Sequence, residues 1–253
     1  MSPKELTLIS FDVDGTLIHS VGVQSNKLHK AAFAAGVKAV WGIDTHIDVV
    51  QHHGATDPLI VIKVMEHHGM KRDEILAKMP EVEAAMNNHF MNASAEDMAA
   101  GIEILPGVKD TLEAIKAAGA LSCLVTGNLE PIGWAKMTAL GIEPLFDHPR
   151  FGGFGSDFCS GNVEESWRDR AEFVRTAEKK CLALHPGATL RRFHVGDTPM
   201  DILAALDAGA VAIAVDTGVF TREQLEAVAP GKGVIHLSGM ANTAAFMKAV
   251  GLA

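Results

Sequence analysis

The sequence is poor in cysteine, in net positive charge and in long apolar runs, and each shortage excludes a class of protein. Its three cysteines, Cys123, Cys159 and Cys181, are odd in number and irregular in spacing. This pattern predicts neither a disulfide framework nor a zinc site. Reduced thiols are typical of intracellular proteins, so we expect a cytoplasmic protein.

Acidic residues outnumber basic ones, with 31 Asp and Glu against 22 Lys and Arg and a formal net charge of −9. Without a basic patch, this balance argues against a nucleic-acid backbone as the partner. No apolar run approaches the roughly 20 residues that span a membrane. Residues 1–5 contain no apolar stretch typical of a secretory signal. We therefore expect neither nucleic acid nor a membrane as a partner, and the oligomeric state is left open.

The most informative segment is 12–16, Asp-Val-Asp-Gly-Thr, which follows the apolar, β-leaning run 6–11. Because side chains alternate along a strand, Asp12 and Asp14 point to the same side at its carboxyl end. Open α/β sheets bind their ligands at that end. Two carboxylates held close together repel one another, and a hard divalent cation would offset the repulsion. An acidic turn or a calcium loop explains these residues alone, but not the segments that follow.

Two later strand patterns also end in polar residues. The run 121–125 leads into Thr126-Gly127-Asn128, and the run 191–195 leads into Gly-Asp-Thr-Pro-Met-Asp, which contains Asp197 and Asp201. This ordered set of an acidic pair, a strand-end hydroxyl and Gly-Asp-x-x-x-Asp resembles the haloacid dehalogenase (HAD) superfamily of phosphotransferases. The resemblance spans about residues 6–215 and includes three of the family's four motifs.

The resemblance implies an α/β fold, with a Rossmann-like parallel-sheet core and a helical cap inserted just after the first strand. We expect residues 1–18 and 102–253 to form the core and residues 19–101 to form the cap. Apolar periodicity predicts cap helices from Ser25 to Gly36, from Asp57 to Gly69 and from Glu81 to Phe90. In the core it predicts alternating elements, as a parallel sheet requires: strands 121–125, 192–195, 211–215 and 234–237, and helices 109–118, 131–140, 169–184, 199–208 and 241–250.

The resemblance also implies a chemistry for the acidic residues. Asp12 would be the nucleophile that forms an aspartyl-phosphate. Asp14 would first protonate the leaving group and then activate water. Mg²⁺ is the implied cofactor, held by Asp12, the backbone carbonyl of Asp14 and Asp197. Haloacid dehalogenases lack the acid/base Asp two residues after the nucleophile, so Asp14 and Asp197 favour phosphoryl transfer over carbon–halogen cleavage.

Other residues of the two later motifs have plainer interpretations as well. Thr126 would donate to a phosphoryl oxygen, with the backbone N–H groups of Gly127 and Asn128 nearby, yet a strand-end Thr before a Gly-Asn turn is common. Asp201 would support the metal ligands without touching the ion. The spacing Thr-Pro-Met-Asp also fits a capping box, which explains Asp201 but not Asp197.

The third motif departs from the family pattern. The family normally supplies a Lys before the helix that precedes the last motif-bearing strand, and the stretch 164–174 has none. An Arg can bridge a carboxylate and a phosphate with its planar guanidinium. We favour Arg170, which opens the Ala-Glu-Phe-Val helix, with Arg168 as the alternative. Surface ion pairs with neighbouring acids remain a third interpretation.

A segment of the predicted cap, Gly54-Ala55-Thr56-Asp57, resembles a Gly-x-Thr-Asp segment that several capped HAD phosphatases direct into the cleft. Gly54 would allow close backbone approach, and Thr56 would contact the leaving group. Asp57 is a weaker candidate for substrate contact. Asp57 followed by Pro58 is equally typical of a helix N-cap and first turn.

Together these features predict a Mg²⁺-dependent phosphatase that acts on a small phosphorylated metabolite. A phosphosugar mutase and a phosphonate hydrolase are alternatives within the family, and a non-catalytic phosphate-binding protein is an alternative of another class. A phosphonate hydrolase would need a cap lysine for a Schiff base, and the candidates are Lys27, Lys30, Lys38 and Lys63. The twelve histidines are expected to be mostly solvated, with His52 or His53 near the cleft.

Overall fold

The computed structural model describes residues 4–22 and 26–253, and within them strands and helices alternate along most of the chain. The strands are β1 (Glu5–Phe11), β2 (Ile18–Ser20), β3 (Ile102–Ile104), β4 (Leu121–Thr126), β5 (Gly152–Phe154), β6 (Thr189–Gly196), β7 (Val211–Val215) and β8 (Ile235–Leu237). Within the described residues, six of them form one sheet in the order β5-β4-β1-β6-β7-β8. Every neighbouring pair in that sheet is parallel.

Strand β1 lies at the point where the strand order reverses. Its last residue, Phe11, pairs with Leu124 of β4 on one side and with Val195 of β6 on the other. The carboxyl ends of these three strands therefore meet at one edge of the sheet, where open α/β folds form their ligand crevice. The backbone N–H of Asp12 donates to the carbonyl of Val195 at 2.9 Å, which fixes the exit of the chain from β1.

Helices cover both faces of the sheet. The helices described are α1 (Lys27–Trp41), α2 (Asp57–His67), α3 (Arg72–Met91), α4 (Ala95–Ala99), α5 (Val108–Ala117), α6 (Glu130–Ala139), α7 (Ser166–Leu184), α8 (Pro199–Asp207), α9 (Arg222–Glu226) and α10 (Thr243–Ala249). Successive residues of β1 enter different apolar clusters, because strand side chains alternate. Ile9 and Phe11 pack with α5 and α10, and Leu6 and Leu8 pack with α7 and α8. The predicted α/β fold class is confirmed.

Helices α1–α4 form an insert between β2 and β3. They enclose an apolar cluster of their own that includes Phe33, Leu59 and Val82. Leu129 and Ile132, from the start of α6, complete this cluster and join the insert to the sheet. Strands β2 and β3 pair antiparallel, so the chain enters and leaves the insert side by side.

Two helices of the insert differ from their predicted ranges. Ser25, the predicted start of the first helix, lies outside the described residues, and α1 continues past Gly36 to a left-handed Gly42 with φ 70°. Helix α3 begins at Arg72 rather than Glu81, with Pro80 inside it. The apolar face of α3 continues on both sides of Pro80, and its burial outweighs the hydrogen bond that proline cannot make.

Three of the short strands lie outside the predicted elements. Strands β2, β3 and β5 have three residues each and were not predicted. In β5, Gly152 and Gly153 face close neighbours: a Cβ at Gly153 would lie 2.0 Å from the carbonyl oxygen of Phe173. Within the described part of the chain, no helix has the length and apolar character to cross a membrane.

Candidate active site

The Asp12 carboxylate lies at the carboxyl end of β1 and is paired with an arginine. Asp12 is 5% exposed and Arg170, in the first turns of α7, is 3% exposed. Arg170 Nη1 donates to Asp12 Oδ1 at 2.9 Å. The same nitrogen lies 3.0 Å from Asp201 Oδ1. Arg170 therefore occupies the place predicted for the missing Lys, between two buried carboxylates.

Arg168, the alternative, is wrong as a site residue. Its side chain is about half exposed, and it donates to Glu165 at 3.0 and 3.1 Å. Its guanidinium also stacks on Trp167, 4.4 Å from the ring centroid. Residues two positions apart on a helix point to different sides, so only one of the two arginines can face the sheet.

Asp12, Asp197 and Asp201 form a cluster of three buried carboxylates, with one oxygen of each within 4.8 Å of the others. Burial raises the pKa of Asp12 to about 6, with Arg170 opposing the rise and the charges of Asp201 and Asp14 adding to it. Burial and the charges of Asp12 and Asp201 raise the pKa of Asp197 well above its ordinary value. Burial acts in the same direction on Asp201, but Arg170 and His194 prevail and lower its pKa to about 2. When all three carboxyl groups are ionised, the cluster carries more negative charge than Arg170 offsets.

The surroundings of Asp197 suit a hard cation. Thr16 Oγ1 donates to Asp197 Oδ1 at 3.0 Å. Asp197 Oδ2 lies between two glycines: a Cβ would lie 2.3 Å away on Gly15 and 1.8 Å away on Gly218. Among the described residues, Asp201 Oδ1 has no hydrogen-bond donor with suitable geometry. An all-oxygen set with excess negative charge fits Mg²⁺.

Asp201 forms the capping box that its spacing predicted, and it also lies beside Arg170 in the carboxylate cluster. Its Oδ2 accepts from the backbone N–H of Thr198 at 3.0 Å and from Thr198 Oγ1 at 2.6 Å. This is a capping box at the start of α8, with Pro199 as the first helical residue. The capping contacts direct the other oxygen, Oδ1, toward Arg170 and the carboxylate cluster.

The loop after β4 lies beside the same cluster. Thr126 is buried at the end of β4, and its hydroxyl oxygen accepts from the Asn128 N–H at 3.4 Å. A Cβ on Gly127 would lie 3.3 Å from Arg170 Nη2 and 2.9 Å from Thr56 Cα. Glycine is therefore required for the loop to fit between the arginine and the helical insert.

Asp14 is held by a lysine that belongs to none of the sequence motifs. Lys136 Nζ lies 2.9 Å from Asp14 Oδ1 and 2.8 Å from Oδ2, and Asn128 Nδ2 donates to Oδ2 at 3.0 Å. Lys136 also donates to Asn128 Oδ1 at 2.8 Å. Burial alone would raise the pKa of Asp14, but the charge of Lys136 and the hydrogen bonds from Lys136 and Asn128 bring it below its ordinary value.

Asp57, predicted for substrate contact, links the insert to the sheet. Its Oδ2 accepts the N–H of Leu129 at 3.0 Å and lies 3.0 Å from His29 Nε2. The other ring nitrogen of His29, Nδ1, lies 3.3 Å from Lys136 Nζ. The Asp57 N–H also donates to the Gly127 carbonyl at 2.8 Å. The position of Asp57 thus depends on His29 in the insert and on the loop that follows β4.

The expected substrate contact by Thr56 is not what the structure shows. Thr56 is 0% exposed, and its hydroxyl accepts the N–H of Leu59 at 3.5 Å. The N-cap of α2 is therefore Thr56, and Asp57 is the first residue of the helix. Thr56 is also absent from the described residues that line the cavity next to the cluster.

That cavity has a volume of about 590 Å³, and Asp12, Asp14, Thr126, Gly127, Asn128, Arg170 and Asp197 line it together. Gly54, with φ 77°, lines it from the insert. His52 and His53 also line the cavity, where one of them was expected. Of the four lysines considered for a Schiff base, Lys30 lines the cavity, and its Nζ is paired with Asp48 at 3.0 Å.

Comparison with known protein families gives a match that covers most of the chain. The family model described as haloacid dehalogenase-like hydrolase matches residues 6–209. Among curated proteins, a phosphoglycolate phosphatase of Vibrio vulnificus is 23% identical over 230 residues, covering 91% of this chain and 92% of that protein. A phosphoglycolate phosphatase of Pseudomonas putida is 23% identical over 224 residues, covering 88% of this chain and 74% of the other.

Solved structures share the fold. A hydrolase from Pseudomonas syringae superposes with a TM-score of 0.62 at 19% identity, covering 96% of this chain and 98% of that one. A predicted phosphoglycolate phosphatase from Haemophilus somnus gives a TM-score of 0.60 at 21% identity, with the same coverage of both chains. At these identities the superpositions establish the architecture of the sheet and its insert.

Proposed function

The chain belongs to the haloacid dehalogenase-like hydrolase family, and from this premise we propose that it is a Mg²⁺-dependent phosphatase in which Asp12 carries the phosphoryl group from substrate to water. The predicted family and the enzyme class, a phosphoric monoester hydrolase, are confirmed. One observation carries the mechanism: Arg170, Thr126 and Asp14 converge on one cavity around the buried Asp12.

In the first half of the reaction, a carboxylate oxygen of Asp12 attacks phosphorus. An Asp12–phosphorus bond forms as the bond from phosphorus to the leaving oxygen breaks, and the electron pair stays on that oxygen. Asp14 lines the same cavity and, in its protonated form, gives this oxygen a proton. Arg170, Thr126 and the N–H groups after β4 surround the phosphoryl oxygens, where preorganised donors stabilise negative charge.

In the second half, water attacks the phosphorus of the aspartyl-phosphate. Asp14, now ionised, accepts a proton from this water, and the bond between phosphorus and Asp12 breaks. The carboxylate of Asp12 returns to its pair with Arg170, which keeps its charge throughout because guanidinium does not lose its proton in proteins.

Asp12, the backbone carbonyl of Asp14 and Asp197 would hold the Mg²⁺ ion. When bound, the ion supplies positive charge that offsets repulsion between the carboxylates and an incoming phosphate. Asp201 supports this arrangement through Arg170. The excess negative charge of the three-carboxylate cluster is the property of this chain that fits the ion.

Residues 19–101 would act as a cap that covers the cavity, with residues 1–18 and 102–253 as the core. The pairing of β2 with β3 supports a division there, because both connections run through this short antiparallel pair. The insert contributes Gly54, His52 and His53 to the cavity, so it would contact the part of the substrate beyond the phosphate. Closure of such a cap would exclude bulk water.

The substrate would be a small phosphorylated metabolite. The cavity of about 590 Å³ lies in the range of small-molecule sites. The curated relatives are phosphoglycolate phosphatases, so phosphoglycolate is the first metabolite to test. Its carboxylate would face the part of the lining that the insert supplies, which includes Lys30, His52 and His53.

The test is phosphate release from p-nitrophenyl phosphate and from phosphoglycolate with Mg²⁺, compared between the wild type and Asp12→Asn. We expect the variant to fold and to lose activity by several orders of magnitude, as a nucleophile acting with a partner base does. A variant that keeps more than about a tenth of the wild-type rate contradicts the proposal. A binding protein would release no phosphate, and a mutase would pass the phosphoryl group to a second hydroxyl.

A further inference from the structure

Lys136 is a charged residue in an apolar position. It lies in the middle of α6 between Ala135 and Met137, which are both buried, and it is itself 1% exposed. Burying an ammonium is strongly unfavourable unless each of its protons has an acceptor. None of the catalytic motifs found in the sequence includes this residue, so its burial requires an explanation.

The three ammonium protons of Lys136 have three partners. These are the carboxylate of Asp14 at 2.8 and 2.9 Å, Asn128 Oδ1 at 2.8 Å and His29 Nδ1 at 3.3 Å. An ammonium only donates, so Nδ1 of His29 is the acceptor and its Nε2 carries the proton that Asp57 accepts. The direction of every hydrogen bond in the network is then fixed.

The hydrogen bonds from Lys136 and Asn128 hold the Asp14 carboxylate in one orientation. The Asp14 side chain is 33% exposed to the cavity. Within the described residues, its carboxylate accepts hydrogen bonds from Lys136 and Asn128 and from no other side chain. Gly15, directly after it, has φ 94° and allows the backbone to turn sharply. Without Lys136, one hydrogen bond from Asn128 would be left to orient the carboxylate.

We propose that Lys136 is a positioning residue that holds the Asp14 carboxylate where it exchanges a proton with the leaving group and with water. Asn128, His29 and Asp57 fix the ammonium in turn. Lys136 keeps its own protons in both half-reactions and touches neither the phosphoryl group nor the substrate. This inference rests on the proposed function, since it assigns Asp14 the acid/base role.

The test compares two aryl phosphates of similar shape. Phenyl phosphate needs a proton on its leaving oxygen, whereas 2,4-dinitrophenyl phosphate has a leaving group that is stable as an anion. The constant kcat/KM includes the steps up to release of the phenol, so it isolates the first proton transfer. General acid catalysis contributes about 10²- to 10⁴-fold, so Lys136→Met should lower kcat/KM about 100-fold for phenyl phosphate and less than about threefold for the dinitrophenyl ester.

Two further variants show whether the effect passes through Asp14. Asp14→Asn alone should give the same selective loss, and Lys136→Met should add no further loss on top of it. Lys116→Met is the matched control, because Lys116 is exposed on α5 and donates to the Pro144 carbonyl, and both substrates should keep their wild-type kcat/KM. If Lys136→Met fails to fold, the same comparison is made with Lys136→Leu, which also has no N–H donor for Asp14.

An equal fall in kcat/KM for both esters, or no fall for either, overturns the assignment of Lys136. The proposed function is tested separately by the wild type and Asp12→Asn. If the wild type hydrolyses neither ester, or Asp12→Asn hydrolyses both at the wild-type rate, the phosphatase mechanism is wrong. If the wild type and Asp12→Asn behave as proposed but Lys136→Met does not distinguish the two esters, only the inference about Lys136 is wrong.

Discussion

Arg170 Nη1 lies 2.9 Å from Asp12 Oδ1, in an ion pair that is buried on both sides. The charges of Asp201 and Asp12 outweigh the burial of Arg170 and raise its pKa above the ordinary value, so it stays charged at every accessible pH. The planar guanidinium also reaches Asp201. A single residue thus holds two of the three clustered carboxylates.

Arg170→Ala should lower kcat by about 100-fold or more, because it removes a donor aimed at the reacting group. It should also destabilise the fold by about 3–5 kcal/mol, since two buried carboxylates lose their partner. Arg170→Lys should recover part of both losses. Arg168→Ala is the control and should change kcat less than twofold. Similar small effects for both alanine variants would show that Arg170 is not needed at the site.

The stability of the metal-free protein should fall as pH rises from about 4 to about 6. Asp12, whose pKa rises to about 6 in the folded state, keeps its proton in this range, whereas the unfolded chain loses it. The folded state then binds more protons than the unfolded state, so the free energy of unfolding decreases with pH. In urea unfolding with EDTA, the wild type should lose on the order of 2 kcal/mol relative to Asp12→Asn across this range. A difference that does not change with pH contradicts the charge balance of the cluster.

Mg²⁺ should raise the melting temperature of the wild type. At a concentration near one hundred times its Kd, a bound ion contributes about 2.7 kcal/mol to folding. Asp197→Asn should stabilise the metal-free protein by removing a repelled charge, and should abolish the shift with Mg²⁺. Asp207→Asn is the control, because Asp207 pairs with Arg175 at the surface. A full Mg²⁺ shift in Asp197→Asn would place the ion elsewhere.

Thr56→Val should cost about 1 kcal/mol of stability, the usual effect of removing an N-cap hydroxyl. Because Thr56 is fully buried and does not line the cavity, kcat/KM should stay the same for both p-nitrophenyl phosphate and phosphoglycolate. Thr221→Val, which removes the hydroxyl cap of α9, should behave in the same way. A loss of kcat/KM that differs between the two substrates would give Thr56 a role in substrate recognition after all.

The residues that could be predicted from the sequence are those fixed by local geometry. Asp12, Asp14, Thr126 and Asp197 each follow a run of strand-forming residues by one to three positions. In a parallel sheet the carboxyl ends of neighbouring strands meet, so four positions far apart in sequence were expected at one edge. Arg170 is predicted to replace the family's Lys, in preference to Arg168, because it opens a helix.

Lys136 and His29 reach the site through contacts between distant parts of the chain, so local sequence patterns do not reveal them. Lys136 is 122 residues from Asp14, and His29 is 107 residues from Lys136. The one local signal was a Lys among the buried residues Ala135 and Met137 of α6. A surface lysine on an amphipathic helix gives the same pattern, so the sequence alone does not identify the contact.

Differences in the insert have a similar cause. Thr56 and Asp57 are both good N-cap residues, and local preferences do not choose between them. Asp57 is drawn into the helix because His29 and the N–H of Leu129 bind its carboxylate. Helix α3 runs through Pro80 because its apolar face packs on α1, a tertiary contact that outweighs the local preference.

The Asp14→Asn variant can show whether Asp12 carries the phosphoryl group. This variant keeps the nucleophile but lacks the base for hydrolysis, so a good leaving group should allow the intermediate to form and accumulate. The protein is mixed with 2,4-dinitrophenyl phosphate and Mg²⁺, quenched in acid, digested with pepsin and analysed by mass spectrometry. We predict one phosphoryl group on the peptide that contains Asp12, and none in Asp12→Asn/Asp14→Asn. A phosphoryl group on another residue, or dinitrophenol release with no labelled peptide, would contradict the account.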